Sequence, residues 1–227
     1  MKQTVLASAL LTAMMATSAQ ADTLLGFKVG GDVWQADTSG EFLATPKIKF
    51  DSSTQGSLWV SLEHPVPLVP NVMIRQNILK QDTTLEDKTY KTDQSNTDLI
   101  LYYEILDNDL VSLDVGGAYK IMQGEFKSIE TIQADLQNIS KDLDKGILMG
   151  YANAMVGVPG IGLFAFADVM TGLNETKVHD YQLGLGWQFD SMLVDTRIRT
   201  GYREFDYNVD ATDTTFKGFF AGVELDF

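Results

Sequence analysis

The chain has 227 residues, and 17 Lys and Arg residues against 31 Asp and Glu residues give a formal net charge of −14. This acidity argues against a nucleic-acid partner, because phosphate binding needs clustered Lys and Arg side chains. Cysteine is absent, which excludes a disulfide framework, a thiolate metal site and a cysteine nucleophile. The length fits one domain, and a hydrophobic content of 44% is typical of alternating strands.

Residues 1–21 have the pattern of a signal peptide. Lys2 supplies a positive charge, an apolar stretch follows from Val5 to Ala16, and Ala19 and Ala21 form a small-x-small cleavage site. We predict cleavage after Ala21, which leaves 22–227 as the mature domain. The apolar stretch is shorter than the ~20 residues of a membrane-spanning helix, and no later apolar run is unbroken, so any span must be made by strands.

The mature chain predicts ten strands with alternating apolar and polar side chains. They cover about 24–34, 57–63, 71–78, 99–105, 111–121, 147–156, 161–170, 178–189, 192–205 and 216–227. The links 35–56, 79–97 and 122–146 are long, whereas those after the second, fourth, sixth and eighth strands are short. Short periplasmic turns and long outer loops are expected for bacterial barrels, so we predict an all-β fold, an antiparallel up-and-down transmembrane β-barrel.

A water-soluble barrel would have the same alternation with its apolar side chains inward. The signal peptide and the aromatic residues near the strand ends favour lipid on the outside. We expect two aromatic girdles on the apolar face. The outer one would contain Trp34, Tyr119, Tyr181, Tyr202 and Phe219, and the periplasmic one Tyr103, Trp187, Phe189 and Phe227.

The segment 218–227, GFFAGVELDF, alternates apolar side chains with glycine and carboxylates and ends in Phe227. It resembles the closing strand of Gram-negative outer-membrane barrels, in which such a terminus serves as the assembly signal. That resemblance implies an assembly signal formed by Phe219, Val223, Leu225 and Phe227.

Three motifs carry a more specific resemblance: the pair Gly30-Gly31 within LLGFKVGGDVW, the turn LEHPVPLVPN at 62–71, and the closing VELDF. Their order resembles a family of small Gram-negative outer-membrane barrels distinguished by the Gly-Gly pair. The resemblance implies a location in the cell outer membrane and supplies no catalytic residues. We expect outer-membrane lipid, lipopolysaccharide and the insertion machinery as partners, and no cofactor.

Charged residues on the predicted polar faces should point into the lumen, because charges facing hydrocarbon are costly. Opposite charges on adjacent strands would then offset one another's desolvation. This favours a closed lumen and a structural or interaction role, and the alternative is a narrow channel or transporter for small solutes. The predicted inward set contains Lys28, Asp32, Glu63, Arg75, Asp98, Glu104, Asp114, Lys120, Asp180, Asp195, Arg197, Arg199, Arg203, Glu224 and Asp226.

The sequence gives weak support for a group of catalytic residues, and a hydrolase at the barrel rim is the second alternative. His64 and His179 are the chain's histidines. His64 falls in a predicted periplasmic turn. His179 and Asp180 are adjacent in a strand and should point to opposite faces, so we predict no enzyme and no metal site.

In the loop 126–145 the apolar residues Ile129, Ile132, Leu136, Ile139 and Leu143 recur at intervals of three and four. This period predicts a short amphipathic helix at about 128–143. The helix would cap the barrel mouth or offer a surface to a protein partner or lipid.

Overall fold

The computed structural model describes residues 25–42, 47–85, 88–108, 110–132 and 135–227, with the backbone alone for 130–132 and 135–138. The predicted signal peptide, including Ala19 and Ala21, lies outside the described residues. No helix in the described ranges has the length and hydropathy of a membrane span.

The described residues form fifteen strands. They are β1 (Gly26–Phe42), β2 (Ile48–Lys49), β3 (Ser53–Glu63), β4 (Asn71–Ile78), β5 (Lys80–Leu85), β6 (Lys88–Asp93), β7 (Asn96–Asp107), β8 (Val111–Met122), β9 (Glu125–Ile132), β10 (Asp135–Asp142), β11 (Lys145–Gly157), β12 (Leu163–Gly172), β13 (Val178–Phe189), β14 (Asp195–Val209) and β15 (Thr212–Asp226).

One antiparallel sheet closes into a barrel. Its strand order is β15-β14-β13-β12-β11-β8-β7-β4-β3-β1, with the short β2 beside β1, and β15 pairs back onto β1. That closing ladder runs from Lys28 opposite Asp226 to Phe42 opposite Thr212. Within the described chain the wall therefore has ten strands, which confirms the predicted fold class. The first strand is longer than predicted and continues to Phe42.

Four further strands form a second sheet, in the order β10-β9-β6-β5, which we call the cap sheet. Each cap strand continues a neighbouring wall strand after a break of one or two residues: β5 follows β4, β6 precedes β7, β9 follows β8 and β10 precedes β11. Backbone hydrogen bonds cross these breaks, from Gln94 N to Leu79 O and from Gln123 N to Ser95 O. A Cβ on Gly124 would lie 2.1 Å from Asp93 O, so the bend needs glycine there.

The helix predicted at about 128–143 is wrong, because this segment forms β9 and β10. The two strands pair antiparallel from Glu125 opposite Asp142 to Ile132 opposite Asp135, and β9 also pairs with β6. Two ladders satisfy the backbone groups of β9, whereas an isolated short helix is marginal in water. The three-to-four spacing arose from apolar residues distributed over two strands.

Candidate functional site in the barrel lumen

The lumen changes character along the barrel axis. We call the end with the links 64–70, 108–110, 158–162 and 190–194 the turn end, and the opposite end the loop end. On β14, Arg197 and Arg199 lie toward the turn end and Arg203 lies deeper. Phe205 and Tyr207 follow toward the loop end and are buried. The inward side chains therefore change from charged to apolar along a single strand.

Near the turn end, ion pairs join β1, β3, β14 and β15. Lys28 Nζ lies 2.6 Å from Glu63 Oε1 and 3.9 Å from an Asp226 oxygen. Arg197 lies 2.9 Å from Glu224 and 3.4 Å from the same Asp226 carboxylate. Asp226 thus lies between two cations supplied by the two strands that flank it.

The middle of the lumen contains two bidentate pairs. Arg75 donates to both carboxylate oxygens of Asp168 at 3.1 and 2.9 Å, and the Tyr151 hydroxyl donates to the same group at 3.3 Å. Arg199 donates to both oxygens of Asp32 at 3.0 and 2.6 Å. Bidentate guanidinium–carboxylate contacts are the strongest of their kind and fix side-chain geometry.

The first glycine of the Gly-Gly pair in β1 makes room for an aromatic side chain inside the barrel. Gly30 lies opposite Trp59 of β3, and a Cβ on Gly30 would lie 2.1 Å from the Trp59 ring. The Arg199 guanidinium lies 4.2 Å from the centroid of that ring, and Trp59 Nε1 donates to Glu224 at 3.0 Å. Gly30 therefore allows the indole to join the charged network.

The deepest charged layer is almost completely buried. Arg203, which is 1% exposed, donates to both oxygens of Asp180 at 3.0 and 2.8 Å and to Asn77 Oδ1 at 2.9 Å. Lys120 Nζ lies 2.8 Å from Asp98 and 3.4 Å from Asp180. Each cation is compensated by a carboxylate, as buried charges require.

Apolar side chains fill the lumen between this layer and the loop end. The filling includes Leu79, Met122, Ile147, Phe205, Tyr207 and Phe216. Above it a second cluster joins the cap sheet to the end of β1 and to β2. It is formed by Phe42, Ile48, Phe50, Phe126 and Leu143, with Tyr90 packed against it. The Phe42 and Phe126 rings stack with their centroids 3.9 Å apart. The cap sheet is thus held over the mouth of the barrel.

A cavity of about 120 Å³ remains among the charged layers. Its lining includes Trp59, Tyr102 and Arg199. Glu104 and Asp114 also line it and lie opposite each other across β7 and β8. The space can hold water or a small ligand among polar groups.

Most of the predicted inward residues lie in these layers. Glu104 is more exposed than the others, and Asp195 accepts a hydrogen bond from Ser191 N in a turn. Sequence reasoning missed Asp168, although it alternates with Phe164 and Phe166 on the inner face of β12 and could have been found by the same rule.

Trp34 was wrongly assigned to the outer aromatic girdle. It is 2% exposed, and the Arg203 guanidinium lies 4.9 Å from its ring centroid. Val33 points outward on β1, so strand alternation puts Trp34 inside.

The histidines lie apart from the charged layers. His64 Nδ1 accepts a hydrogen bond from Val66 N in the turn 64–70. His179 lies 3.1 Å from the Thr171 hydroxyl, whereas Asp180 points inward to Arg203. His179 and Asp180 therefore face opposite sides of the wall. Among the described residues, no cluster of His, Asp and Glu side chains could hold a metal ion.

The outer surface of the wall is apolar toward the turn end. Exposed large apolar side chains there include Val33, Leu58, Val60, Ile74, Leu99, Leu101, Val115, Leu148, Val169, Leu183, Leu185, Trp187, Ile198, Phe219 and Val223. Toward the loop end the outward positions become charged at Asp37, Lys217 and Glu204, which lie in one row across β1, β15 and β14. Charges inside and hydrocarbon side chains outside are the arrangement of a membrane barrel.

No protein-family model matches the sequence, and no curated protein matches it. Solved structures with a similar fold include Ail, the attachment invasion locus protein of Yersinia pestis, with 10% identity and a TM-score of 0.40 over 88% of this chain and 98% of that one. The translocator domain of the autotransporter NalP from Neisseria meningitidis has 10% identity and a TM-score of 0.47 over 99% and 95%. The outer membrane protease OmpT from Escherichia coli has 9% identity and a TM-score of 0.37 over 92% and 97%. Nothing about function follows from likenesses at this level.

The wall itself identifies the compartment. A closed antiparallel barrel with an apolar exterior and a charged interior has the architecture of Gram-negative outer-membrane proteins. The protein is a transmembrane β-barrel of the outer membrane.

Proposed function

We propose that the protein is a non-conducting outer-membrane barrel with a structural or interaction role. The observation that carries this proposal is the filled lumen. Side chains of strands that are not neighbours in the wall meet in it, as in the contact between Arg203 of β14 and Ser57 of β3 at 2.7 Å. In an eight-stranded barrel the inward side chains just fill the interior. A ten-stranded barrel is only slightly wider, so long inward side chains suffice to close its lumen.

Two barriers in series block a path for ions. The first is the layer of the Arg203–Asp180 and Lys120–Asp98 ion pairs, in which each charged side chain has a partner of opposite charge. The second is the apolar filling beneath the cap sheet, with the stacked Phe42 and Phe126 rings above it. An ion would have to lose its hydration shell at the second barrier, where buried polar side chains such as Gln94 and Thr214 already hydrogen-bond to each other.

Planar-bilayer recording of the purified full-length protein tests the proposal. We expect no ion current above that of the lipid alone. A variant with 125–142 replaced by a short Gly-Ser link removes part of the cap sheet and should also stay closed, because the Arg203 layer remains. A heat-modifiable band in SDS gels confirms folding of each sample. Large, stable, salt-dependent channels from the native protein would reject the proposal and favour a small-solute transporter.

The cap sheet supports an interaction role. It lies beyond the charged row at Asp37, Lys217 and Glu204, on the side that the barrel presents to water. Its outer strands β5 and β10 each have one edge without a strand partner among the described residues. Such edges can accept an extended segment of a protein partner.

We also propose that the chain has no catalytic role. The separation of His179 from Asp180 supports this, because a histidine base needs a carboxylate or another orienting group within reach. Purified native protein and a His179→Ala variant should be equally inactive toward peptides and lipids. Hydrolysis by the native protein that the variant loses would support the rim-hydrolase alternative.

Membership in the Gly-Gly family of Gram-negative barrels is likewise a proposal. The position of Gly30 beneath Trp59 gives the motif a structural reason. Replacing Gly30 by Ala should displace Trp59 from Arg199 and lower the unfolding temperature. A matched Gly56→Ala variant has no such neighbour, since the nearest atom to its added Cβ is 3.8 Å away.

The assembly signal formed by Phe219, Val223, Leu225 and Phe227 stays a prediction. Phe227 also closes the barrel, because its N and O exchange hydrogen bonds with Phe27 at 2.9 and 3.3 Å. A Phe227→Ala variant keeps these backbone bonds and loses the ring, so reduced outer-membrane yield would indicate a role of the aromatic side chain. Phe227→Tyr is the control and should assemble normally.

A further inference from the structure

The four links at the turn end have exposed apolar side chains. Leu68 is 91% exposed and Leu193 is 75% exposed, and Met192 beside it is fully exposed. Leu110 and Ile161 in two other links are about half exposed. Among the described residues of these links, Asp190 is the one with a full charge at neutral pH. We call these exposed side chains the turn collar.

The conformation at Leu68 shows that this exposure is built into the fold. Its φ angle is 67°, which bulky residues rarely adopt. The Tyr103 hydroxyl donates to Leu68 O at 2.9 Å, and Val69 N donates to Val66 O at 3.4 Å. Three prolines stiffen the same link, at 65, 67 and 70. The loop is thus fixed with its leucine directed away from the protein.

The height of the apolar outer wall indicates which part of the membrane surrounds the turn collar. Outward charges begin at the row of Glu204, Lys217 and Asp37. From Glu204 to Val194 at the turn end there are about ten residues, and at ~3.3 Å per residue and ~40° tilt they span roughly 25 Å along the barrel axis. The apolar band of a membrane barrel is also about 25 Å tall. The hydrocarbon layer therefore extends as far as the turns.

We propose that the turn collar inserts into the boundary between headgroups and acyl chains of the periplasmic leaflet. The partner is phospholipid, because the collar continues the lipid-facing wall without an intervening outward charge in the described strands. Leucine and methionine side chains bind such a boundary through buried apolar area. This inference rests on the proposed outer-membrane barrel and adds that its turn end does not project into the periplasm.

The absence of native cysteine allows a direct test with single-cysteine variants. Leu68→Cys and Met192→Cys report on the collar, Leu185→Cys reports on the middle of the wall, and Leu85→Cys is a matched exposed leucine in the cap sheet. Each variant receives an environment-sensitive fluorophore and is reconstituted into phosphatidylcholine vesicles. The quenchers are doxyl groups on the lipid, at a shallow or a deep acyl position, and acrylamide in water.

We expect shallow doxyl lipid to remove most of the fluorescence at the two collar sites, with little effect at Leu85→Cys. Deep doxyl lipid should quench Leu185→Cys, and acrylamide should quench mainly Leu85→Cys. Collar sites that respond like Leu85→Cys, while Leu185→Cys is quenched by lipid, would overturn the collar proposal and leave the membrane barrel intact. Collar sites shielded from both quenchers would indicate a protein contact and would also overturn it. Failure of lipid quenching at Leu185→Cys would reject the membrane location itself.

Discussion

The two halves of this barrel are built from the same strands but have opposite kinds of side chains inside and outside. In the half near the turn end, β14 points Arg197 and Arg199 inward and Ile198 outward. In the half near the loop end, the same strand points Phe205 inward and Glu204 outward. Between Arg203 and Phe205 the inward side chains change from charged to apolar, and the outward side chains change from apolar to charged.

This reversal shows how the surroundings determine the interior. Where hydrocarbon surrounds the wall, apolar side chains are needed outside, and the polar residues that alternate with them must pair with one another inside. Where water surrounds the wall, the ordinary hydrophobic effect drives apolar side chains inward. The row of Asp37, Lys217 and Glu204 marks the level at which one regime replaces the other.

The largest expected effect comes from breaking the deepest ion pair. Arg203→Ala leaves Asp180 buried without its bidentate partner, and loss of one partner of a buried pair costs about 3–5 kcal/mol. Replacing Asp180 and Arg203 together should cost less than Arg203→Ala alone, because Lys120 keeps Asp98 as its partner. Urea unfolding of the folded barrel in lipid vesicles measures both. A double variant that is less stable than Arg203→Ala would contradict this expectation, because it would show that Asp180 still stabilises the barrel without Arg203, through its contact with Lys120.

In the half near the loop end, stability should depend on the packing of buried apolar side chains and hardly on ion pairs. Phe205→Ala removes a fully buried ring, and we expect a loss of about 3 kcal/mol in the free energy of unfolding. Phe205→Leu is the matched control and should lose less. The same urea assay applies. A loss within experimental error for Phe205→Ala would contradict a packed apolar filling at this level.

Removing Arg197 and Arg199 together should reduce stability without opening the barrel. We expect about 2 kcal/mol of destabilisation, because carboxylates including Asp32 lose charged hydrogen bonds. The Arg203 layer and the apolar filling remain, so planar-bilayer recordings should show no ion current. Ion current from the double variant would show that the deeper layers do not close the lumen.

The smallest effect concerns the cap sheet at low pH. Burial disfavours the charged form of Asp93, but hydrogen bonds from Lys80 and Ser95 outweigh it and lower its pKa below the usual value of 3.8. A carboxylate with a lowered folded pKa stabilises above its unfolded pKa, and this contribution is lost as the pH falls through the folded pKa. The Lys80–Asp93 contact is partly exposed, so it is worth less than about 1 kcal/mol.

Hydrogen exchange of β5 and β6, corrected for intrinsic rates, checks this expectation. Protection should fall below pH 4 in the native protein, and Lys80→Met should show a smaller fall because it lacks the contact at neutral pH. Lys91→Met in the same sheet is the control and should behave like the native protein. Equal pH dependence in all three proteins would exclude a role for the Lys80–Asp93 contact.

The sequence by itself determined the faces of the strands. Side chains alternate with a period of two in any strand, so the apolar positions of each strand assign Arg197 and Arg199 to the same, inward face of the wall as Glu224 and Asp226. The antiparallel order of consecutive wall strands and the approximate positions of the turns followed in the same way. The helix predicted at about 128–143 failed, because spacing within a segment does not show whether neighbouring strands are available to pair with it.

Tertiary structure decided which residues meet across the lumen. Arg203 reaches Ser57, 146 residues away, and Arg75 reaches Asp168, 93 residues away. These contacts depend on the closure of β15 onto β1, which fixes the stagger of every strand around the barrel. The same stagger brings Asp37, Lys217 and Glu204 into one row, so it also sets the level at which the outward side chains change from apolar to charged. Local periodicity determines which side of the wall a residue faces, and only the closed ladder determines the height and the partner.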